Sequence, residues 1–220
     1  MPYQRMLFVE GMDDRHALVH LLTKHGIASC HFDEDEIALI EDPIAVKSLD
    51  GYRELRRRLP RELQISSGLL QAGVVVDANT NVTNRWKSLR DRIVESGGEG
   101  LPPAPPSDGW VGMVQLPDRN LVIGAWLMPD NQAQGALEEF VMQLVPGEGD
   151  LWRYAETCID GLPERRFKDN HAGKAVVHTW LAWQDPPRLA IGEAISKGLF
   201  IPDAPPAQAF VAWVQRLFGM

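Results

Sequence analysis

The sequence predicts an α/β protein with a mainly parallel sheet and helices packed on its faces. Two apolar runs, at residues 6–9 and 74–76, each lead to an acidic residue and then to an amphipathic helix. Two such strand–acid–helix units favour right-handed crossovers and parallel pairing. The length of 220 residues suits one domain, or one domain with a lid or an appended subdomain.

The first half of the chain divides into alternating strands and helices. A strand is expected at residues 5–10, a helix at 13–25 and a weaker strand at 37–40. Apolar residues at helical spacing predict a further helix over 52–59, which Pro60 should end because proline cannot continue the hydrogen-bond ladder. The basic face of this helix consists of arginines at positions 53, 56, 57, 58 and 61.

The second strong strand covers residues 71–77 and leads into a helix over about 84–96. A Pro- and Gly-rich loop at 96–109 follows, and then two strands within 110–128 that a turn at 117–120 joins. A helix is expected from about Gly135. Later helices are predicted at 151–160, 171–184, 188–197 and 206–217. We therefore expect an α/β core over 1–150 and a helical C-terminal extension, 151–220, packed on it.

Composition excludes several classes of protein. No run of about 18 apolar residues is present, so no membrane span is expected, and the first residues lack the pattern of a secretory signal. The two cysteines, Cys30 and Cys158, are too few for a disulfide framework, which fits a cytoplasmic location. The net charge of −8 means that any phosphate contact must come from a local basic patch or from bound cations.

Acidic side chains stand where the predicted strands end. Glu10, Asp77 and Asp130 follow three strands, and Asp14 lies one helical turn beyond Glu10. The carboxyl ends of parallel strands form the usual binding crevice, and clustered carboxylate oxygens suit Mg²⁺ or Mn²⁺. Glu10 and Asp77 would have to lie within about 10 Å of each other to share a cation. Asp13 is expected to be the first-turn or capping acid.

These motifs resemble those of a known family. Residues 9–14, VEGMDD, resemble the first Toprim motif, and residues 74–79, VVVDAN, resemble the second. WLMPDNQAQGALEEF and HAGKAVVHTWLAWQDPP extend the match over about 6–200. Here the chain resembles a bacterial family of Toprim-like proteins of unknown function, similar in layout to the overcoming-lysogenisation-defect nucleases. The resemblance implies a Toprim-like, Rossmann-like sheet.

The resemblance also implies roles for single residues. Glu10 would be a general base or a metal ligand, and Asp14 and Asp77 would be metal ligands. Glu138 would help to hold a second cation, and Lys174 would stabilise charge at the scissile phosphate.

One position departs from the Toprim pattern. Asn79 stands where a second aspartate is usual, and its carbonyl oxygen can bind a metal but brings no charge. Asp13 or Asp130 could compensate. Simpler interpretations remain open: Asn79 and Asp130 as turn formers, Glu138 as a surface acid in a first helical turn, and Lys174 as a solvated lysine.

The function expected is an Mg²⁺-dependent (or Mn²⁺-dependent) nuclease or related phosphodiester hydrolase acting on DNA or RNA. The two arginine-rich helices are candidates for phosphate contacts, although solvated faces are the commoner meaning of such runs. The helix after Asp77 is favoured because it follows the site directly. A second copy of the chain or another protein is a further expected partner.

Two other functions compete with hydrolysis of nucleic acid. A catalytically degenerate module could bind nucleotide, nucleic acid or protein, which Asn79 and the acidic charge favour. A haloacid-dehalogenase-type phosphatase would use Asp77 as nucleophile, but it needs an acid at position 79. His16 and His20 have the spacing of a zinc-binding pair, but without a third ligand we expect them to be packing or surface histidines.

Overall fold

A computed structural model describes residues 3–32, 42–65, 68–147 and 149–220. Within these ranges the sheet has six strands in the order β2-β3-β1-β4-β6-β5. The strands are β1 (Arg5–Val9), β2 (Ser29–His31), β3 (Ile44–Ser48), β4 (Gln71–Asp77), β5 (Trp110–Gln115) and β6 (Asn120–Met128). All neighbouring pairs are parallel except β5 and β6. The predicted α/β class with a mainly parallel, Rossmann-like sheet is confirmed.

The helices flank this sheet. They are α1 (Met12–Lys24), α2 (Tyr52–Ile65), α3 (Val82–Glu95), α4 (Leu137–Met142), α5 (Asp150–Asp160), α6 (Ala172–Ala182), α7 (Ile191–Ser196) and α8 (Pro205–Phe218), with a 3₁₀ turn at Asp169–His171 before α6. No helix among the described residues is long and apolar enough to cross a membrane.

Both faces of the sheet are buried, and β1 shows why its sequence is apolar without interruption. Leu7 and Val9 lie in one core with α1 and the C-terminal helices, whereas Met6 and Phe8 lie in a second core with α2 and α3. Successive side chains of a strand point to opposite faces, so a strand covered on both sides needs apolar residues at every position.

The C-terminal helices are part of the first core. In α8, Phe210 and Trp213 pack against Trp126 of β6, with ring centroids 5.4 and 5.7 Å from that of Trp126. Glycines allow the closest approaches: a Cβ on Gly192 of α7 would lie 2.7 Å from the carbonyl carbon of His16 in α1. Helix α6 packs against α4 and α5, and Lys174 of α6 pairs with Glu138 of α4 at 2.8 Å.

Two local predictions were wrong or incomplete. Helix α2 does not stop at Pro60 but continues to Ile65. Leu63 lies beyond the proline and is fully buried with Leu55 and Leu59, so burial of a third apolar turn outweighs the hydrogen bond that proline cannot donate. Strands β2 and β3 were not predicted. The expected strand at 37–40 lies outside the described residues.

Candidate functional site: an acidic pocket at the strand ends

A cavity of about 280 Å³ opens at the carboxyl ends of β1 and β4. We call it the acidic pocket; its lining residues are Glu10, Gly11, Met12, Asp13, Asp14, Gly51, Asp77, Leu137, Glu138 and Lys174. Its volume lies near the lower end for ligand pockets, so a hydrated ion or a phosphate group suits it better than a bulky ligand. Five of the seven predicted site residues line it.

Glu10 is fixed to the backbone of two other elements. The N–H of Asp77 donates to its Oε1 at 2.9 Å, and the N–H of Tyr52 also donates to the carboxylate. Arg85 places Nη1 3.6 Å from the same Oε1. Burial raises the pKa of Glu10, although Arg85 and the two N–H groups act in the opposite direction. The contact with Asp77 satisfies the 10 Å requirement for a shared cation.

Asp14 lies in the first turn of α1, and the N–H of Gly11 donates to its Oδ2 at 2.8 Å. Asp13 does lie in the first turn, as expected, and it is exposed where it lines the pocket, but the capping hydrogen bond is accepted by Asp14. The cause is helical geometry, because the third residue of a helix can reach back to the N–H of the residue before its start. Burial and the charges of Glu10, Glu138 and Asp13 raise the pKa of Asp14 to about 7 despite this hydrogen bond.

Asp77 ends β4 and carries the least compensated charge of the pocket. Its Oδ1 is buried and has no hydrogen-bond partner. Burial, followed by the charges of Asp14, Glu10 and Glu138, raises its pKa to about 9, and Arg85 only partly opposes this. Among the described residues, Arg85 does not offset the burial of this carboxylate, so an ionised Asp77 would be stabilised by an added cation.

Glu138 and Lys174 form the opposite wall. Glu138 lies in the first turn of α4 but is buried, not on the surface, and Lys174 of α6 places Nζ 2.8 Å from its Oε1. The hydrogen bond to Glu138 raises the pKa of Lys174. Glu139 caps α4, since its Oε2 accepts the N–H of Ala136 at 2.7 Å. Glu138 is thereby left to face the pocket.

Two of the predicted site residues do not line the acidic pocket. Asn79 is exposed, has a positive φ of 52°, and exchanges two backbone hydrogen bonds with Gly135. The Oδ1 of Asp130 accepts the N–H groups of Gln132 and Ala133 at 2.9 and 2.7 Å. Both residues shape turns, which is the simpler interpretation of each.

The pocket offers oxygen donors to a divalent cation but no preformed cage. Among the described residues, no group of three or more His, Cys, Asp or Glu side chains has an arrangement that could hold a metal ion. Mg²⁺ takes only one or two protein carboxylates and keeps several waters. The oxygen donors and the buried, unpartnered Oδ1 of Asp77 therefore fit a hydrated cation, but not one held by a preformed cage.

Sequence reasoning missed Gly51 and Tyr52. Gly51 lines the pocket with a φ of 99° and donates its N–H to the backbone carbonyl of Glu10 at 2.7 Å. Residues 44–51, IAVKSLDG, contain the signal: an apolar run, then an Asp-Gly turn, then a helix, which is a third strand–turn–helix unit.

His16 and His20 pack with a third histidine. The His16 and His31 ring centroids are 4.6 Å apart, and those of His20 and His31 are 6.4 Å apart. No metal-holding group is found within the part of the chain that the structure describes. These contacts agree with the expectation of packing histidines.

Comparison with known proteins shows the family of this chain. A family described as "protein of unknown function (DUF3226)" matches residues 4–219. The chain belongs to this family. No curated protein and no solved structure matches the chain. The family description assigns no activity, so any function must be argued from the pocket.

Proposed function

We propose that the protein is an Mg²⁺- or Mn²⁺-dependent phosphodiester hydrolase that acts on nucleic acid. One observation carries the proposal: five carboxylates and a lysine from five different elements or junctions meet in one small pocket, and Asp77 there has a buried oxygen without a partner among the described residues. Strongly perturbed carboxylates in a cleft are typical of functional sites. The resemblance to Toprim nucleases supports the same chemistry.

Each residue has a role in this proposal. Asp77 and Asp14 would hold the cation, Asp77 directly through Oδ1, and Glu138 would bind through water or a second cation. A cation of this kind, when bound, supplies a lowered pKa of the attacking water and stabilises charge on the phosphate oxygens. Lys174, half exposed at the rim, would donate to a phosphate oxygen when it leaves Glu138. Glu10 would orient Asp77 and take the water's proton.

Two measurements test the proposal. Calorimetric titration of the metal-free protein with Mn²⁺ should show binding that Asp77→Asn removes. Incubation with single- and double-stranded DNA and RNA plus Mg²⁺ or Mn²⁺ should show cleavage that Asp77→Asn and Glu10→Gln abolish. If the protein neither binds Mn²⁺ nor cleaves any of the four substrates, the proposal of a hydrolase is overturned.

A catalytically degenerate binding module is the second candidate. The observation in its favour is Glu10: two backbone N–H groups and Arg85 hold the carboxylate, as expected for a structural latch. It predicts nucleic-acid binding without turnover in any metal. The phosphatase alternative is weaker, because the position two residues after Asp77 is an exposed asparagine outside the pocket lining.

A further inference from the structure

Helix α2 presents an exposed row of arginines. Between residues 52 and 61 its exposed side chains are Arg53, Arg56, Arg57 and Arg61, which we call the arginine track. Arg53, Arg57 and Arg61 follow at intervals of four residues, so they lie one above the other on one face. The row exists because α2 continues past Pro60, which keeps Arg61 on the same helix.

Among the described residues, most of this charge has no acidic partner. Arg57 pairs with Glu54. By contrast, no hydrogen bond or ion pair joins the guanidinium groups of Arg53, Arg56 and Arg61 to the described residues. The second glutamate of the helix, Glu62, is already held by Lys47 and Arg58 at 2.8 and 2.9 Å. In a chain with a net charge of −8, such a row is a local positive surface.

The sequence favoured helix α3 for phosphate contacts, but the arginines of α3 are already paired with carboxylates of the protein. Arg85 is largely buried beside Glu10 and stacks over the ring of Tyr52, with Cζ 3.5 Å from the ring centroid. Arg90 pairs with Asp91 at 3.6 Å, and Arg92 pairs with Glu95. The structure therefore favours α2 over α3 as the helix that contacts phosphates.

The track begins beside the acidic pocket. Gly51, the residue before α2, lines the pocket, and Arg53 lies in the first turn of the helix. From Arg53 to Arg61 the helix rises about 12 Å. That distance is about the rise of three to four nucleotides along one strand of a duplex.

We propose that the arginine track binds the phosphate backbone of a nucleic acid that leads into the acidic pocket. The inference rests on the proposed function and deepens it, because it makes the substrate a polynucleotide and not a small phosphoester. The acidic pocket would repel phosphates without a cation, whereas the track binds them without one.

The test measures binding in the absence of hydrolysis. Fluorescence anisotropy of labelled single-stranded and duplex oligonucleotides is recorded with the full chain in EDTA over a range of salt concentrations. The variant Arg53→Gln/Arg56→Gln/Arg61→Gln should bind about 10- to 100-fold more weakly at low salt. Its slope of log K against log salt should fall by about 2 for single strands or about 3 for duplex.

The control variant, Arg165→Gln/Arg166→Gln/Lys168→Gln, makes the same charge change at exposed residues before α6 and should keep the wild-type slope. Arg53→Gln and Arg61→Gln alone should each reduce the slope by about 0.7 to 0.9, so the test does not depend on the triple variant folding. The proposal for the arginine track is overturned by any of three results. These are an equal loss of affinity in the control variant, an unchanged salt slope in the track variants, and no binding of oligonucleotides by the wild type.

The two proposals fail in different ways. If oligonucleotides bind in EDTA through the track but are never cleaved with Mg²⁺ or Mn²⁺, the hydrolase fails and the track stands. If cleavage is metal-dependent and sensitive to Asp77→Asn while the track variants bind normally, the hydrolase stands and the track fails.

Discussion

The two walls of the acidic pocket are built differently. On the strand wall, Asp14 in the first turn of α1 accepts the N–H of Gly11, and the buried Oδ1 of Asp77 at the end of β4 has no hydrogen-bond partner among the described residues. On the helical wall, Glu138 is neutralised by Lys174 at 2.8 Å. The carboxylate of the helical wall is therefore already balanced by a positive charge. A bound cation would stabilise the ionised carboxylates of the strand wall more than it would stabilise Glu138.

The largest expected effect concerns cation binding at the strand wall. Asp77→Asn should weaken Mn²⁺ binding by about 100-fold, because it removes the charge with the least compensation in the pocket. Isothermal titration calorimetry measures this directly. Asp91→Asn removes the same charge from an exposed site on α3 and should leave the affinity unchanged. Equal weakening in both variants would mean that only the net charge of the protein matters.

The pH dependence of stability follows from the same wall. The pKa values of Asp14 and Asp77 are raised from 3.8 to about 7 and about 9, so the folded protein binds these protons more tightly than the unfolded chain. Stability should therefore fall as pH rises from about 4 through about 9, and the loss should be complete above that range.

The control for this pH effect is Asp77→Asn, which removes the group with the higher pKa. At pH 9 it should raise the free energy of unfolding by about 1–3 kcal/mol, since it eliminates a buried charge. Urea denaturation at a series of pH values measures both curves. If the free energy of unfolding depends on pH in the same way in the wild type and in Asp77→Asn, the raised pKa of Asp77 is contradicted.

A smaller effect is expected at the helical wall. Lys174→Met should lower the free energy of unfolding by about 1 kcal/mol, because Glu138 stays buried without its partner, while the half-exposed lysine limits the loss. In a double-mutant cycle, Glu138→Gln should cost less in the Lys174→Met background than in the wild type. Additive losses would show that the two side chains do not interact.

The smallest effect is expected at Gly11. A Cβ there would lie 3.0 Å from Oδ2 of Asp14, so Gly11→Ala should displace that carboxylate slightly. We expect a loss of about 0.5 kcal/mol in stability. Thermal unfolding checks it, with Gly161→Ala at the end of α5 as a comparison outside the pocket lining. A gain in stability would show that the pocket tolerates the methyl group.

Local sequence signals were sufficient for much of the fold. The apolar runs of β1 and β4 were visible because both faces of those strands are buried, and the turn between β5 and β6 was visible from residues 117–120. Helix α2 shows the limit of such signals. Pro60 is a local stop signal, but the burial of Leu63 against the sheet is a tertiary effect that overrides it.

The candidate site divides in the same way. By itself the sequence determined that Glu10, Asp14 and Asp77 stand at strand–helix junctions, because strand ends and helix starts are encoded within a few residues. Only the tertiary structure decided that Glu138 and Lys174 complete the pocket and that Asn79 and Asp130 shape turns. It also decided that, within the part of the chain that the structure describes, the arginines without an acidic partner lie on α2 and not on α3. Those outcomes depend on which elements pack together, and that choice is made by burial across the whole core and not by neighbours in sequence.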